Sequence, residues 1–339
     1  MKNQNRKLKL GVVLSGGGAK GAYEAGFLKC LAELNIQPDA IAGTSIGALN
    51  GSVYAAQKDT KNVSVILTKI WKDLAKSKAL QVDKRKAFLN IIEVVSFFSP
   101  LAPISKVARV VKSSTMANSK EGILTTKPAK NILEDYAPVE KLLNGLAFYV
   151  GVTKSDGNFV DSLRLLGLSN SGLTSYIDIK SLKEEDIHNI ILASAALPIG
   201  FDAIKVNGVD YRDGCLGSID NEWGNTPAKP LITEEHCTNL IVCHLNEGSF
   251  FNRYDPIFKD ISIIEIRPEN GTFNSVLDPL KFSVDKIDMW MEQGYKDADR
   301  ILKDSLDSLN GKYERVISEY KVEDTLNKLK SKKFTIPEE

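Results

Sequence analysis

The chain has 339 residues, of which 43% are hydrophobic and 26% charged, a composition that fits a globular domain with an ordinary core. Its 44 basic and 43 acidic residues leave a net charge of +1, and the sequence contains no nucleic-acid-binding motif, so no nucleic-acid partner is expected. The basic, polar start MKNQNRKLKL is not followed by an apolar signal-peptide region, and no run of about 18 apolar residues occurs. We therefore expect neither a Sec signal peptide nor a transmembrane helix. A cytoplasmic location with free cysteine thiols is predicted, and signal-independent export stays open.

Two strand–helix units open the chain. Leu8–Leu14 is short, rich in β-formers and ended by glycines, which predicts a buried strand, and Gly21–Leu34 has helical periodicity. Pro38–Ala42 predicts a second strand, and Ser45–Gln57 a helix rich in small residues that can lie close to a sheet. Strand and helix alternating in this way predict a parallel sheet with right-handed crossovers.

The alternation then stops over about residues 61–127, where we expect a helical insertion. Phe88–Phe98 is apolar except for three polar residues, and a basic amphipathic stretch follows it at Ile104–Lys112. One interpretation is a set of helices packed on the domain. The other is a mobile cap over an acyl site, or a surface that contacts lipid.

The sheet resumes with a strand at Leu146–Lys154. Further strands are predicted at Asp161–Leu168, Ser175–Ile179, Leu240–Leu245 and Ser262–Ile266, and further helices at Asp186–Ala196 and Leu280–Leu309. We expect one domain over residues 1–305 and a charged, helical tail over 306–339.

Gly43-Thr44-Ser45-Ile46-Gly47 matches the pattern G-x-S-x-G. In the strand-to-helix turn typical of this pattern, a strained backbone presents a nucleophilic serine, and the flanking positions must be small. Ser45 lies between a predicted apolar strand and a predicted small-residue helix, which is the required context. We interpret Ser45 as a nucleophile, with Gly43 and Gly47 making room for the turn.

A second glycine-rich turn lies at Gly16, Gly17 and Gly18, just before a predicted helix. Unshielded N–H groups at a helix start suit a developing oxyanion, and they also suit a phosphate. Gly16-x-Gly18-x-x-Gly21 matches a dinucleotide fingerprint, so nucleotide binding is an alternative. It is disfavoured because Asp39 precedes the second strand instead of ending it.

The serine needs a base, and two candidates exist. Asp213 lies where a predicted strand, Val209–Asp213, runs into a turn at Gly214, and partial burial would raise the pKa of its carboxyl group toward that of a useful base. His244 ends another predicted strand, and the chain order Ser45, Asp213, His244 fits a Ser-Asp-His triad. We favour Asp213 as the base and keep His244 as the alternative.

Taken together, these segments resemble the patatin-like phospholipase family. The oxyanion-loop block of that family resembles SGGGAKGAYEAG at Ser15–Gly26, its nucleophile block GTSIGALNG at Gly43–Gly51, and its acid turn Asp213-Gly214. ASAALPIGF at Ala193–Phe201 is similar to another block of the family. The resemblance covers about residues 8–225.

Two positions depart from the pattern of the family. Cys215 stands where the family usually has Gly or Ala, and the Asn-x-Pro that normally follows closely matches Asn225-Thr226-Pro227 only after a short insertion, Leu216–Gly224.

The resemblance implies a three-layer α/β/α fold with a mainly parallel sheet and a Ser-Asp dyad, with no metal or other cofactor. It implies hydrolysis of fatty acyl esters in phospholipids or related lipids, with peripheral membrane contact; an activating protein partner stays open. Lys20 fits a basic position of the loop in the family, where it would order the loop or meet a head group. The alternatives are a thioesterase or acyltransferase on the same dyad, a nucleotide-binding protein, and a lipid-binding module without activity.

Overall fold

The computed structural model describes residues 8–57, 60–76, 126–165, 169, 171–198, 201–217, 224–249, 251–275, 278–305 and 322. The predicted cap at Phe88–Phe98 and Ile104–Lys112 lies outside these residues, as does nearly all of the predicted tail. The chain divides into two compact units, Met1–Ala298 and Asp299–Glu339. Within the described ranges, no helix combines the length and the hydropathy needed to cross a membrane.

The strands that the structure describes form one sheet with a mainly parallel centre. Their order is β5-β6-β3-β2-β1-β7-β8, and β4 also pairs with β3. Neighbours in the run β3-β2-β1-β7-β8 are parallel, whereas β4 and β6 are antiparallel to β3 and β5 is antiparallel to β6. The strands are β1 Leu10–Leu14, β2 Ala40–Thr44, β3 Ala147–Lys154, β4 Thr174–Asp178, β5 Ile204–Val206, β6 Val209–Asp213, β7 Asn239–Cys243 and β8 Ser262–Ile266.

Helices connect the strands. They are α1 Gly21–Glu33, α2 Ile46–Ala55, α3 Thr60–Lys76, α4 Lys127–Tyr136, α5 Val139–Leu143, α6 Asn158–Leu165, α7 Glu184–Ser194, α8 Lys229–Thr233 and α9 over residues 284–305.

Alternate residues of each strand point to opposite faces of the sheet, and helices pack against the side chains on both faces. Ala40 and Ala42 of β2 lie in one apolar cluster together with Leu231 of α8. Ile41, the residue between them, lies on the face packed by α2, where a Cβ on Gly51 would be 3.3 Å from its Cγ2. The predicted mixed α/β fold with a mainly parallel central sheet is confirmed.

One predicted strand is wrong. Of the predicted strand Asp161–Leu168, the described residues 161–165 are helical, because they belong to α6, Asn158–Leu165. Asp161 and Arg164 lie one helical turn apart, pair with each other at 2.9 Å and are both buried. Their burial as an ion pair explains the error, since the sequence pattern of these polar residues did not show which of them face the interior.

Candidate active site

Ser45 occupies a sharp turn between β2 and α2. Its backbone has φ 56° and ψ −123°, a region that non-glycine residues rarely adopt, and its side chain is half-buried. Two glycines permit this turn. A Cβ on Gly43 would lie 2.4 Å from the carbonyl oxygen of Gly47, and one on Gly47 would lie 2.5 Å from that of Leu14. The predicted elbow is therefore present, with Gly43 and Gly47 in the positions that require glycine.

Ser194, at the end of α7, fixes the backbone of this turn. The N–H of Ser45 donates to Ser194 Oγ at 2.8 Å, and the Ser194 hydroxyl donates in turn to the carbonyl of Gly151 in β3 at 2.6 Å. Ser194 is fully buried. The family resemblance covers Ala193–Phe201 but indicates no role for Ser194. That role is visible only from the contacts of Ser194 with Ser45 and Gly151.

The register of β3 brings Asp213 to Ser45. Thr44, the last residue of β2, lies opposite Gly151, while Asp213, the last residue of β6, lies opposite the next residue, Val152. The two strands run in opposite directions along β3, so their carboxyl ends meet. The Ser45 side chain lies beside the Asp213 carboxylate there, close enough to lower the pKa of that carboxyl group.

Burial raises the pKa of Asp213 to about 6, although hydrogen bonds from Cys215 and Ser45 lower it in part. The carboxyl group is 1% exposed, and one of its oxygens accepts the N–H of Cys215 at 2.9 Å. The nearby Cys215 thiol also lowers the pKa of this carboxyl group. A carboxylate with this pKa is a stronger base than one in water and is still ionised at neutral pH.

A buried ion-pair network holds the strand that carries Asp213. Arg212, 1% exposed, donates to Asp161 at 2.8 Å and to the carbonyl of Phe201 at 2.8 Å. Arg164 binds the other oxygen of Asp161 at 2.9 Å. Two guanidinium groups thus share one carboxylate directly behind the acid turn, which fixes β6 at its last residues. This network is not predicted from the sequence, because the pattern around Asp161 favours a strand.

The glycine loop lies against the nucleophile. A Cβ on Gly16 would be 3.1 Å from Ser45 Cβ. The N–H of Gly16 donates to the carbonyl of Asn225 at 3.2 Å. Among the described residues, the N–H groups of Gly17 and Gly18 have no hydrogen-bond acceptor. Of the three predicted oxyanion donors, the structure therefore leaves Gly17 and Gly18 available and engages Gly16.

Lys20 faces inward, not toward a head group. It is 8% exposed, its ammonium donates to the carbonyl of Leu245 at 3.3 Å and to the Asn246 side chain, and it lies 4.7 Å from the ring centroid of Phe273. Burial lowers its pKa. Of the two predicted roles, the contacts match the ordering of the loop.

His244 belongs to a separate cluster, which we call the His244 cluster: Ser249, His244, Glu265 and Arg267. The two nitrogens of the imidazole lie 3.0 Å from Ser249 Oγ and 3.0 Å from Glu265 Oε2. Arg267 donates to the same carboxylate at 2.6 Å. The structure thus brings Ser45 together with Asp213 and pairs His244 elsewhere, so the arrangement Ser45, Asp213, His244 does not form.

No group of three or more His, Cys, Asp or Glu side chains in the described parts of the chain could hold a metal ion.

The family model described as Patatin-like phospholipase matches residues 12–221, more than half of the chain. The chain belongs to the patatin-like phospholipase family. The match spans the glycine loop, the elbow and the acid turn, so the membership agrees with the geometry of all three.

Similar proteins match over short segments. Lysophospholipase nte1 of Aspergillus terreus is 52% identical over 50 residues, 15% of this chain and 3% of that protein. Patatin-like phospholipase domain-containing protein 7 of Rattus norvegicus is 30% identical over 97 residues, 29% of this chain and 7% of that protein. Neuropathy target esterase sws of Drosophila melanogaster is 42% identical over 55 residues, 16% of this chain and 4% of that protein. The chain thus matches only a small part of these longer relatives.

Two solved structures are similar in outline. VipD from Legionella pneumophila has a TM-score of 0.45 at 14% identity, covering 90% of this chain and 72% of that chain. The type III effector ExoU has a TM-score of 0.38 at 15% identity, covering 88% and 53%.

Proposed function

We propose that this protein is a lipid acyl hydrolase of the phospholipase A type that works through a dyad of Ser45 and Asp213. The observation that carries the proposal is the strained, half-buried Ser45 beside a buried carboxylate whose pKa is raised to about 6. This pair lies in a chain of the patatin-like phospholipase family.

In the first step, Ser45 Oγ attacks the ester carbonyl carbon while Asp213 accepts the hydroxyl proton. Negative charge develops on the carbonyl oxygen. The N–H groups of Gly17 and Gly18 stabilise it, helped by the positive end of the helix that follows the loop. Collapse of the tetrahedral intermediate breaks the ester C–O bond, and the leaving alcohol takes the proton from Asp213.

The acyl group is then attached to Ser45. Water attacks the acyl carbonyl as Asp213 accepts one of its protons, and the same N–H groups stabilise the second oxyanion. The proton returns to Ser45 Oγ as the fatty acid leaves, so the enzyme is regenerated with no cofactor. Asp213 acts as base and as acid in both halves, a task that suits a carboxyl group with a pKa near 6.

The family and two similar proteins, a lysophospholipase and a neuropathy target esterase, support the choice of substrate class. We propose a phospholipid with one or two acyl chains, reached by peripheral contact with a membrane surface.

The test is release of fatty acid from phosphatidylcholine and lysophosphatidylcholine vesicles, with Ser45→Ala as the background control. Parallel assays contain an acyl thioester or an added alcohol. Hydrolysis of the lipid ester as the fastest reaction would support the proposal. Faster transfer to the alcohol, or turnover restricted to the thioester, would instead identify an acyltransferase or a thioesterase on the same dyad.

A further inference from the structure

A three-residue segment, Gly224–Thr226, contacts all three parts of the proposed site; we call it the brace. At its first residue, the Thr44 hydroxyl donates to the carbonyl of Gly224 at 2.8 Å, just before the nucleophile. Gly224 also lies against the acid turn, since a Cβ placed on it would be 2.5 Å from the carbonyl oxygen of Gly214. The nucleophile elbow and the acid turn are thus both in contact with this residue.

The other two residues of the brace bind the glycine loop. The carbonyl of Asn225 accepts the N–H of Gly16 at 3.2 Å, and the Asn225 side-chain amide donates to the carbonyl of Gly16 at 3.2 Å. The hydroxyls of Thr226 and Ser15 lie 3.1 Å apart. Asn225 therefore engages both polar backbone groups of Gly16 at once.

This double contact matters because it acts on Gly16 itself, whereas the neighbouring bonds of the loop join Ser15 to Thr226 and the Lys20 N–H to the carbonyl of Gly17. Successive glycines have more conformational freedom than other residues, and donors stabilise an oxyanion only when their positions are set before the reaction. Gly16 directly precedes the two residues proposed to supply the donors. Fixing both of its backbone groups limits the rotation of the peptide that leads to Gly17.

We propose that Asn225 is a positioning residue, whose amide holds Gly16 so that the N–H groups of Gly17 and Gly18 meet the oxyanion formed at Ser45. The inference rests on the proposed function. Asn225 acts through Gly16 and not on the reacting atoms. Because of the insertion Leu216–Gly224, the Asn-x-Pro segment lies later in the chain than the family pattern predicts. Its Asn225 nevertheless contacts the glycine loop.

The experiment compares Asn225→Ala with Asn239→Ala in the full-length protein. Asn239 is the matched control, since its side-chain amide also makes a local bond, to Thr238 Oγ1 at 2.9 Å, but it begins β7 away from Ser45. A fluorophosphonate probe titrates the active serine, and ester turnover is then expressed per titrated site. The phosphoryl oxygen of the probe takes the place of the oxyanion, so its labelling rate reports the donors directly.

For Asn225→Ala we expect the labelling rate and kcat per titrated site to fall about 10–100-fold, with KM within about threefold, because the lost interaction acts in the transition state. The acid limb of the pH profile should not move, since Asp213 keeps its partners. Asn239→Ala should match the wild type. The thermal unfolding midpoint of each variant accompanies these rates.

Two results would show that Asn225 has no specific positioning role. One is a reduced fraction of titratable sites with a normal rate per site, which would show that Asn225 serves folding alone. The other is a fall of equal size in Asn239→Ala. If the wild type is not labelled at Ser45, the proposed function fails and this inference with it. A labelled wild type together with an unchanged Asn225→Ala would reject the inference alone.

Discussion

The Ser45–Asp213 pair and the His244 cluster each contain a serine hydroxyl and a carboxylate, and the one with a histidine is the less suited to catalysis. The His244 cluster has the residue types of a catalytic triad, with both contacts of the imidazole at 3.0 Å. The Ser45–Asp213 pair has no histidine. A set of hydrogen-bonded residue types is therefore not enough to identify a nucleophile; the backbone and the electrostatics around it decide.

The difference in charge environment is the clearest. Burial raises the pKa of Asp213 to about 6, and no cation contacts its carboxylate among the hydrogen bonds described. Burial also tends to raise the pKa of Glu265, but hydrogen bonds from His244 and Arg267 outweigh it and hold that pKa at about 2. Glu265 therefore stays ionised in an ion pair with Arg267, whereas the pKa of Asp213 suits the uptake and release of a proton near neutral pH.

The backbone differs as well. Ser45 has a positive φ, with unengaged N–H groups of the glycine loop beside it, whereas Ser249 is not among the residues with positive φ. Arg267 donates to the carbonyls of Glu247 and Ser249 at 3.2 and 3.1 Å. The His244 cluster thus holds the loop that follows β7, and this loop receives Lys20. We assign the cluster a structural role and expect four measurements to test the contrast.

The largest expected effect is on the serines themselves. Ser45→Ala should lower ester turnover by at least about 10³-fold, because the nucleophile is lost and the remaining donors cannot replace it. Ser249→Ala should keep turnover within about threefold of the wild type. The measurement is kcat per folded protein, with circular dichroism as the control for folding. A comparable loss in Ser249→Ala would break the contrast.

The carboxylates come next. Asp213→Asn should lower kcat about 10²–10⁴-fold, since the amide cannot accept the serine proton. Glu265→Gln should keep kcat within about threefold and lower the free energy of unfolding by about 1–3 kcal/mol, because Arg267 and His244 lose a charged acceptor. Steady-state kinetics and chemical denaturation separate the two effects. Near-normal activity in Asp213→Asn combined with an inactive His244→Ala would contradict the dyad.

Ser194 offers a smaller perturbation of the same turn. Ser194→Ala removes the acceptor of the Ser45 N–H and the donor to Gly151, so we expect kcat to fall about tenfold and stability by about 1–3 kcal/mol. Ser52→Ala is the matched control. That hydroxyl is also buried but donates only to Leu49 within α2, at 2.7 Å. Equal effects on kcat in the two variants would show that Ser194 has no specific role at the elbow.

The smallest effect is a shift in pH dependence. The base works when deprotonated, so kcat/KM should fall as the pH drops through about 6, the pKa of Asp213. Cys215→Ala removes the thiol that lowers this pKa, so its acid limb should move to higher pH, while Cys215→Ser should keep the limb near that of the wild type. Profiles of kcat/KM between pH 4.5 and 8 measure this. If Cys215→Ala does not shift the acid limb, the limb does not report the ionisation of Asp213.

Much of this contrast could be predicted from the sequence, because the elbow, the glycine loop and the acid turn are local patterns with strict backbone requirements. Gly43 and Gly47 are predicted on steric grounds, and a Cβ on either would lie within 2.5 Å of a backbone carbonyl oxygen. The strand assignment of Asp161 failed, and the roles of Ser194 and Asn225 were not seen, since these depend on pairings between residues far apart in the chain. Whether His244 or Asp213 meets Ser45 also depended on the register along β3.

The most direct test of the central claim is to react the protein with a fluorophosphonate probe and map the adduct by peptide mass spectrometry, with Ser45→Ala and Ser249→Ala alongside. The account predicts one adduct, on Ser45, that is absent in Ser45→Ala and unchanged in Ser249→Ala. An adduct on Ser249, or labelling that persists in Ser45→Ala, would contradict it.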